Sequence, residues 1–196
     1  MCIIYPLKVL GRKNFPKNKS LIVVCNHLSM LDVFQLWVRT PGWRRFMAKG
    51  QLSKGILGFF VRGTGTIFVK RDGTDMEVIR KALTLLKKGQ SLNIFPEGTR
   101  NKVDEELQAL EKGVAMLAIK TNATIVPMSI LHRQKPFQKN YLSIGKPFDL
   151  IEFNGIFNKQ NAEQANNKIF DQMQTVRSHL RTTVTQLKTN SQSTNQ

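Results

Sequence analysis

The sequence is poor in cysteine, in acidic side chains and in long apolar runs. Cys2 and Cys25 are its only cysteines, so it offers no disulfide framework and no C-x-x-C or Cys/His metal spacing. A reducing, intracellular compartment is the expectation. No apolar run approaches the roughly 18 residues that a spanning helix needs. The stretch MCIIYPLKVLGRK has too short an apolar part for a signal peptide, and no small-residue cleavage site follows it. The chain is therefore expected to be soluble or to lie on a membrane rather than cross it. Walker loops, G-x-G-x-x-G turns and G-x-S-x-G elbows are missing after every apolar run. Aromatics interleaved with basic residues, one mark of a nucleic-acid surface, are not evident, and no nucleic acid is expected as a partner.

What is present is basic charge: 30 Lys and Arg stand against 13 Asp and Glu, a net +17. Residues 1–100 hold 18 basic and 5 acidic side chains, so the excess sits in the N-terminal half. Such a field favours anionic partners: an acidic membrane, a phosphorylated substrate, an acidic carrier protein or nucleic acid. A length of 196 residues with 41% apolar content suits one globular domain.

Short β-branched runs alternate with helical patterns. SLIVVC, RRFMA, TIFVK, SLNIF, ATIVPMSI and YLSIG read as strands. A helix is expected from about Ser29 to Arg39, stopped by Pro41-Gly42. QLSKGILGFFV is apolar and weakly helical, with two glycines. TDMEVIRKALTLLKKG is the clearest helix: Thr74 and Glu77 form a capping box, and Gly89 is the stop. ALEKGVAMLAIKTN is helical, with Asn122 as a left-handed cap. Residues 160–188 carry apolar side chains at helical spacing, and the closing TNSQSTNQ is expected to be disordered. The fold class is α/β, a largely parallel central sheet with flanking helices and a C-terminal amphipathic helix. One domain spans residues 1–188, with a tail over 189–196.

Ligands of open α/β sheets bind beyond the carboxyl ends of the strands. Three polar clusters fall there. The first is NHLSMLD, residues 26–32. Ser29 and Asp32 make an S-x-x-D helix start, which alone explains the stretch. The other explanation is a His27–Asp32 pair. Five residues at about 100° each put two side chains roughly 140° apart on one helix, so the pair cannot meet there. It can meet with His27 in a loop and Asp32 in the first helical turn. The carboxylate would then hold one imidazole nitrogen protonated and leave the other as a base. The second cluster is FPEGTR. Pro-Glu-Gly is ordinary turn chemistry, but Thr99 and Arg100 after a strand can bind phosphate, and Gly98 lets a ligand approach the backbone. The third is GTIFVKR, Gly65 through Arg71, with Lys49 after the second strand. Its plain explanation is a buried strand ending in solvated charges. Cys25 ends an apolar run, next to a residue that points the other way, and reads as buried rather than nucleophilic.

In this order NHLSMLD, GTIFVKR, FPEGTR and the IVP of IVPMSI resemble the blocks of the 1-acylglycerol-3-phosphate acyltransferase family, one of the glycerolipid acyltransferases. The resemblance runs from about Val9 to Ile130. It implies a glycerolipid-acyltransferase-like domain that transfers a fatty acyl group from a thioester donor to the 2-hydroxyl of lysophosphatidate, giving phosphatidate. His27 is implied as general base and Asp32 as its orienting partner, with direct attack on the thioester and no acyl-enzyme. Arg100 and Arg71, with Lys49, are implied to hold the substrate phosphate. Gly65, Glu97, Gly98 and Thr99 complete the site. No metal and no resident cofactor are implied. Acyl-CoA or acyl-carrier protein is the donor, and an anionic membrane surface is a partner. The expected location is peripheral, on the cytoplasmic face of the cell membrane. Two departures stand out. Asn101 follows FPEGTR where the family often has Ser, with a small effect expected. Only ten residues precede GRKNFP, where members commonly have a longer anchor, so membrane attachment is expected to rest on MCIIYPL, GQLSKGILGFFV and basic charge. Two alternatives stay open: the same chemistry on glycerol 3-phosphate or another lysophospholipid, and a non-catalytic basic module that binds anionic lipid or nucleic acid.

Overall fold

Residues Leu21–Cys25 form a strand, β2, that is buried along its whole length. Both of its faces are covered, which is why LIVVC is continuously apolar rather than alternating. Leu21, Val23 and Cys25 belong to one core, Ile22 and Val24 to another. The computed structural model describes residues 4–17, 20–42, 44–49, 66–69, 76–101 and 106–193. Around β2 lie β1 (Leu7–Leu10), β3 (Arg44–Lys49), β4 (Ile67–Val69), β5 (Ser91–Ile94), β6 (Thr124–Ile130) and β7 (Asn140–Ile144). They form one sheet in the order β1-β7-β6-β2-β5-β3-β4. Among the described strand pairs only β6–β7 is antiparallel. Five strands, β2 to β6, therefore run one way, and β1 and β7 run against them.

Among the described residues four helices cover the sheet. Leu36 of α1 (Leu31–Arg39) packs on the Leu21–Val23–Cys25 face with Phe46, Met128 and Ile144. The Ile22–Val24 face is covered by Val78, Ala82 and Leu86 of α2 (Met76–Lys87) and by Val114 and Leu117 of α3 (Gly113–Thr121). Ala165, Ile169 and Met173 of α4 (Lys159–Ser193) join the same core. Burying each such Leu, Ile or Met contributes roughly 1.5–3 kcal/mol relative to exposure. At the far end of α1 the Arg44 guanidinium donates to the Thr40 carbonyl (3.0 Å), to the Pro41 carbonyl and to Asn93 Oδ1 (3.3 Å). That closes the α1–β3 turn. Burial lowers the Arg44 pKa to about 10.

The expected elements that fall within the described residues form, with shifted ends. Helix α2 stops at Gly89 (φ 76°), and Asn122 takes the left-handed cap of α3 (φ 50°). Helix α1 starts at Leu31 rather than Ser29, and α3 starts at Gly113. Strand β1 was not expected. Its residues stood inside the segment read as a membrane attachment and the approach to the first strand, and they pair with β7 from Leu7↔Asn140 to Leu10↔Ser143. The tail boundary is also corrected, because α4 runs on to Ser193. Once a long helix is formed, extra turns cost little, and Leu187 packs beneath this end against the Leu180–Val184 cluster. The GQLSKGILGFFV stretch, Gly63 and Thr74 lie outside the described residues.

Candidate active site

The carboxyl ends of β2, β5 and β6 meet at one edge of the sheet, and buried polar groups tie them together. Asn26, directly after β2, is fully buried. Its Nδ2 donates to the Ile130 carbonyl (3.0 Å), and its Oδ1 accepts the Ile130 N–H (2.8 Å). One amide thus clamps the end of β2 to the end of β6.

His27 comes next, and its main chain is held at both polar atoms. Its N–H donates to Glu97 Oε1 (3.0 Å). Its carbonyl accepts the Asn101 N–H (2.6 Å). Its ring stacks on Phe95, with centroids 4.1 Å apart and planes 15° apart. Nδ1 lies 3.2 Å from Asp32 Oδ2. The same carboxylate oxygen accepts the Leu28 N–H (2.7 Å) and the Ser29 N–H (2.6 Å). Ser29 Oγ accepts the Leu31 N–H (3.2 Å), so the S-x-x-D helix start is present as well. The helix start and the histidine pair coexist because Asp32 serves both.

This geometry has a chemical consequence. A carboxylate oxygen that takes two backbone N–H donors is an acceptor, so Nδ1 facing it carries the proton. Nε2 is then the basic nitrogen, and it makes no hydrogen bond to a described residue. Asp32 is completely buried, while the His27 side chain keeps 14% of its surface exposed. The imidazole is reachable and its partner is not.

The loop after β5 braces this arrangement. Glu97 is buried and accepts three N–H groups: His27 N–H, Asn101 Nδ2 (3.0 Å) and Gln108 N–H (3.1 Å). Burial raises its pKa, and those three donors and the Arg177 charge offset part of the rise. Gly98 has φ 64°, and a Cβ there would stand 3.1 Å from Glu111 Cγ. Asn101 is buried and donates Nδ2 to the Glu106 carbonyl (2.6 Å) as well as to Glu97. Its own carbonyl accepts from Arg133 (3.3 Å).

Of the candidate residues, the structure brings His27, Asp32 and Glu97 into contact through hydrogen bonds. Gly98 forms the adjoining turn. Thr99 and Arg100 are exposed at its tip and bond to no described residue. Lys49 is the last residue of β3, opposite Val69, toward the same edge. Gly65 and Arg71 lie outside the described residues. Cys25 is buried, and its thiol pKa is pushed well up by burial first and by Asp32 and Glu97 next, which makes it a poor nucleophile. Among the described residues no group of three His, Cys, Asp or Glu side chains is placed to hold a metal.

The roles of four residues of this site escaped the sequence reading: Phe95 as a platform, Asn101 and Gln108 as braces, and Arg177. Arg177 is fully buried on α4 and donates to the Ile130 carbonyl (3.2 Å). It had a signal: it sits four residues after Met173, on the apolar stripe of its helix. An arginine there is a buried charge in need of partners.

The sequence model of the Acyltransferase family matches residues 6–131. A chloroplastic 1-acyl-sn-glycerol-3-phosphate acyltransferase, LPAT1 of Arabidopsis thaliana, is 30% identical over 130 residues, 65% of this chain and 36% of that protein. The enzyme of that name from Bacillus subtilis is 28% identical over 154 residues, 75% of this chain and 76% of that protein. The crystal structure of the 1-acyl-sn-glycerophosphate acyltransferase PlsC from Thermotoga maritima superposes with a TM-score of 0.68 at 26% identity. That match covers 89% of this chain and 70% of the other. The chain spans 36–54% of the length of the first four curated relatives it matches.

Proposed function

This chain belongs to the acyltransferase family, and we propose that it transfers a fatty acyl group from a thioester donor to the 2-hydroxyl of 1-acylglycerol 3-phosphate. The observation that carries this is the His27–Asp32 pair, with Nδ1 on the carboxylate and Nε2 left as base. The acceptor hydroxyl gives its proton to Nε2 as its oxygen forms a bond to the thioester carbonyl carbon. The tetrahedral adduct collapses, the C–S bond breaks, and the imidazolium returns its proton to the leaving thiolate. No acyl-enzyme forms. Such acid–base help is typically worth about 10²–10⁴-fold.

Arg100 and Arg71, with Lys49, hold the phosphate of the acceptor. Arg pairs with phosphate oxygens through two parallel N–H groups, which Lys cannot do. Thr99 adds a hydroxyl donor, and Gly98 and Gly65 let the acceptor approach the backbone. Glu97 acts through His27 by fixing its main chain. The products are phosphatidate and free thiol, and no resident cofactor takes part. The donor is acyl-CoA or acyl-carrier protein. The enzyme works at the cytoplasmic face of an anionic membrane as a peripheral protein. No helix among the described residues is long and apolar enough to cross one.

The experiment is thioester consumption by the purified protein, with and without lysophosphatidate, repeated for His27→Ala. Lysophosphatidate-dependent consumption in the wild type and none in the variant is the expected result. Turnover retained by His27→Ala ends the mechanism, and no turnover with any donor ends the proposed reaction.

A further inference from the structure

The connection from β6 to β7 leaves the sheet at the edge that carries His27. Asn26 clamps Ile130 at its start, and Arg133 within it donates to the Asn101 carbonyl. At its tip is the turn Lys135-Pro136-Phe137-Gln138, closed by the Gln138 N–H to the Lys135 carbonyl (3.3 Å). Phe137 is its third residue and has φ 59°. After a Pro at the second position, a positive φ at the third is the place for glycine. A bulky aromatic there is an outlier. Nor does Phe137 gain burial in return: it is 76% exposed, the most exposed of the large apolar side chains described. Folding therefore gives no account of a phenylalanine at this position.

Its surroundings supply one. The Phe137 N–H donates to the Ile4 carbonyl (2.6 Å), which sets a second exposed apolar side chain, Ile4 (43%), beside it. Arg133, Lys135 and Lys139 are exposed around the tip. The chain has no acidic residue between Glu111 and Asp149, and six Lys and Arg in that interval. An apolar wedge ringed by cations has the chemistry of a bilayer interface: the ring enters the acyl boundary while the cations meet anionic headgroups. Of the four other exposed large apolar residues, Trp37 and Val38 lie at the end of α1, and Ile151 and Ile156 follow Phe148, which pairs with Ile125 near the start of β6, at the opposite edge of the sheet.

We propose that the Lys135–Lys139 turn, with Ile4, is the membrane-docking surface of this chain. Phe137 inserts between the headgroups of an anionic bilayer, and Lys135 and Lys139 hold their phosphates. Docked this way, the edge that carries His27 faces the membrane. This rests on the proposed function for its choice of a lipid partner.

The test is flotation of the purified chain with phosphatidylcholine vesicles, with and without phosphatidylglycerol. Phe137→Gly removes the ring and relieves the backbone, so it folds at least as stably as the wild type. It is expected to lower partitioning about tenfold, the order set by burying part of an aromatic side chain. Lys135→Ala and Lys139→Ala each lower it about fivefold on anionic vesicles and leave neutral ones unchanged. Ile156→Ser, at the other edge, floats like the wild type. Wild-type flotation by Phe137→Gly, or an equal loss in Ile156→Ser, overturns the surface. A wild type without acyl transfer that still shows this pattern overturns the reaction and leaves the surface standing. Acyl transfer with flotation indifferent to Phe137 does the reverse.

Discussion

The loop that carries His27 and the tip that carries Arg100 share one edge of the sheet and are built in opposite ways. Around His27, both main-chain polar atoms are bonded, the ring is stacked, and its carboxylate partner is completely buried. At Thr99 and Arg100, the side chains are exposed and bond to no described residue. A base must stand within hydrogen-bond reach, about 2.6–3.2 Å between heavy atoms, of the group whose proton it takes, so a rigid mounting speeds the reaction. A cation that binds a phosphate has other needs. If it were paired within the protein, that pair would have to break before the ligand bound. On the proposed function, the site keeps its base fixed and its anion grip open.

The sharpest way to break this comparison is at Asp32. Asp32→Asn keeps an oxygen for the Leu28 and Ser29 N–H groups but removes the charge that balances an imidazolium. Acyl transfer is expected to fall on the order of 10³–10⁴-fold, as for the equivalent change in a catalytic triad. The thermal midpoint should move little. A turnover number near that of the wild type would show that the pair only starts the helix. Arg100→Ala probes the open side. Losing a charge-assisted hydrogen bond of about 1.5–3 kcal/mol raises KM for the phosphorylated acceptor roughly 10–100-fold. Stability stays within about 0.5 kcal/mol, as for surface substitutions generally. An unchanged KM would take Arg100 out of phosphate binding.

Glu97→Gln tests the mounting. Both carboxylate oxygens accept N–H groups, whereas an amide turns one end into a donor that faces donors. Unfolding in urea should show a loss of about 1–3 kcal/mol. The sign of its pH dependence follows from burial. The folded carboxyl pKa is raised above its ordinary 4.5, so the folded state holds the proton more tightly than the unfolded state. The Glu97 contribution to stability therefore falls as pH rises from about 4.5 through the raised value. Glutamine has no such change, so the deficit of the variant should shrink as pH rises across that window. A deficit that is flat with pH would mean that Glu97 is not held in the buried, proton-retaining environment seen here.

Much of this site was legible because its signals are local. Strand ends, helix stops such as Gly89 and Asn122, and the order of the polar clusters are all properties of short stretches. So was the loop-to-helix geometry that lets His27 meet Asp32. What stayed hidden depends on contacts across the chain. Glu97 braces a histidine 70 residues away. Asn101 fell at a position where a small effect was expected, yet its N–H, Nδ2 and carbonyl tie together His27, Glu97, Glu106 and Arg133. Strand β1 is four residues long and exists by pairing with β7, far along the sequence, with Leu7 opposite Asn140. Neither its length nor its composition announces a strand without that partner.

The smallest expected effect lies at the joint between the two regions. Gly98 separates the buried Glu97 from the exposed Thr99 and Arg100, and its positive φ turns the chain from one to the other. Gly98→Ala forces a side chain into that conformation and sets its Cβ 3.1 Å from Glu111 Cγ. The strain is about 1–2 kcal/mol if the turn holds. If the rigid mounting of His27 and the open tip are independent, this variant loses that much stability and raises KM a few-fold, while kcat on saturating acceptor stays within about twofold. If the turn also steers the base, kcat falls with KM unchanged. Steady-state kinetics beside a urea titration separates the two, because a tip that merely moves cannot lower the turnover of a complex already formed.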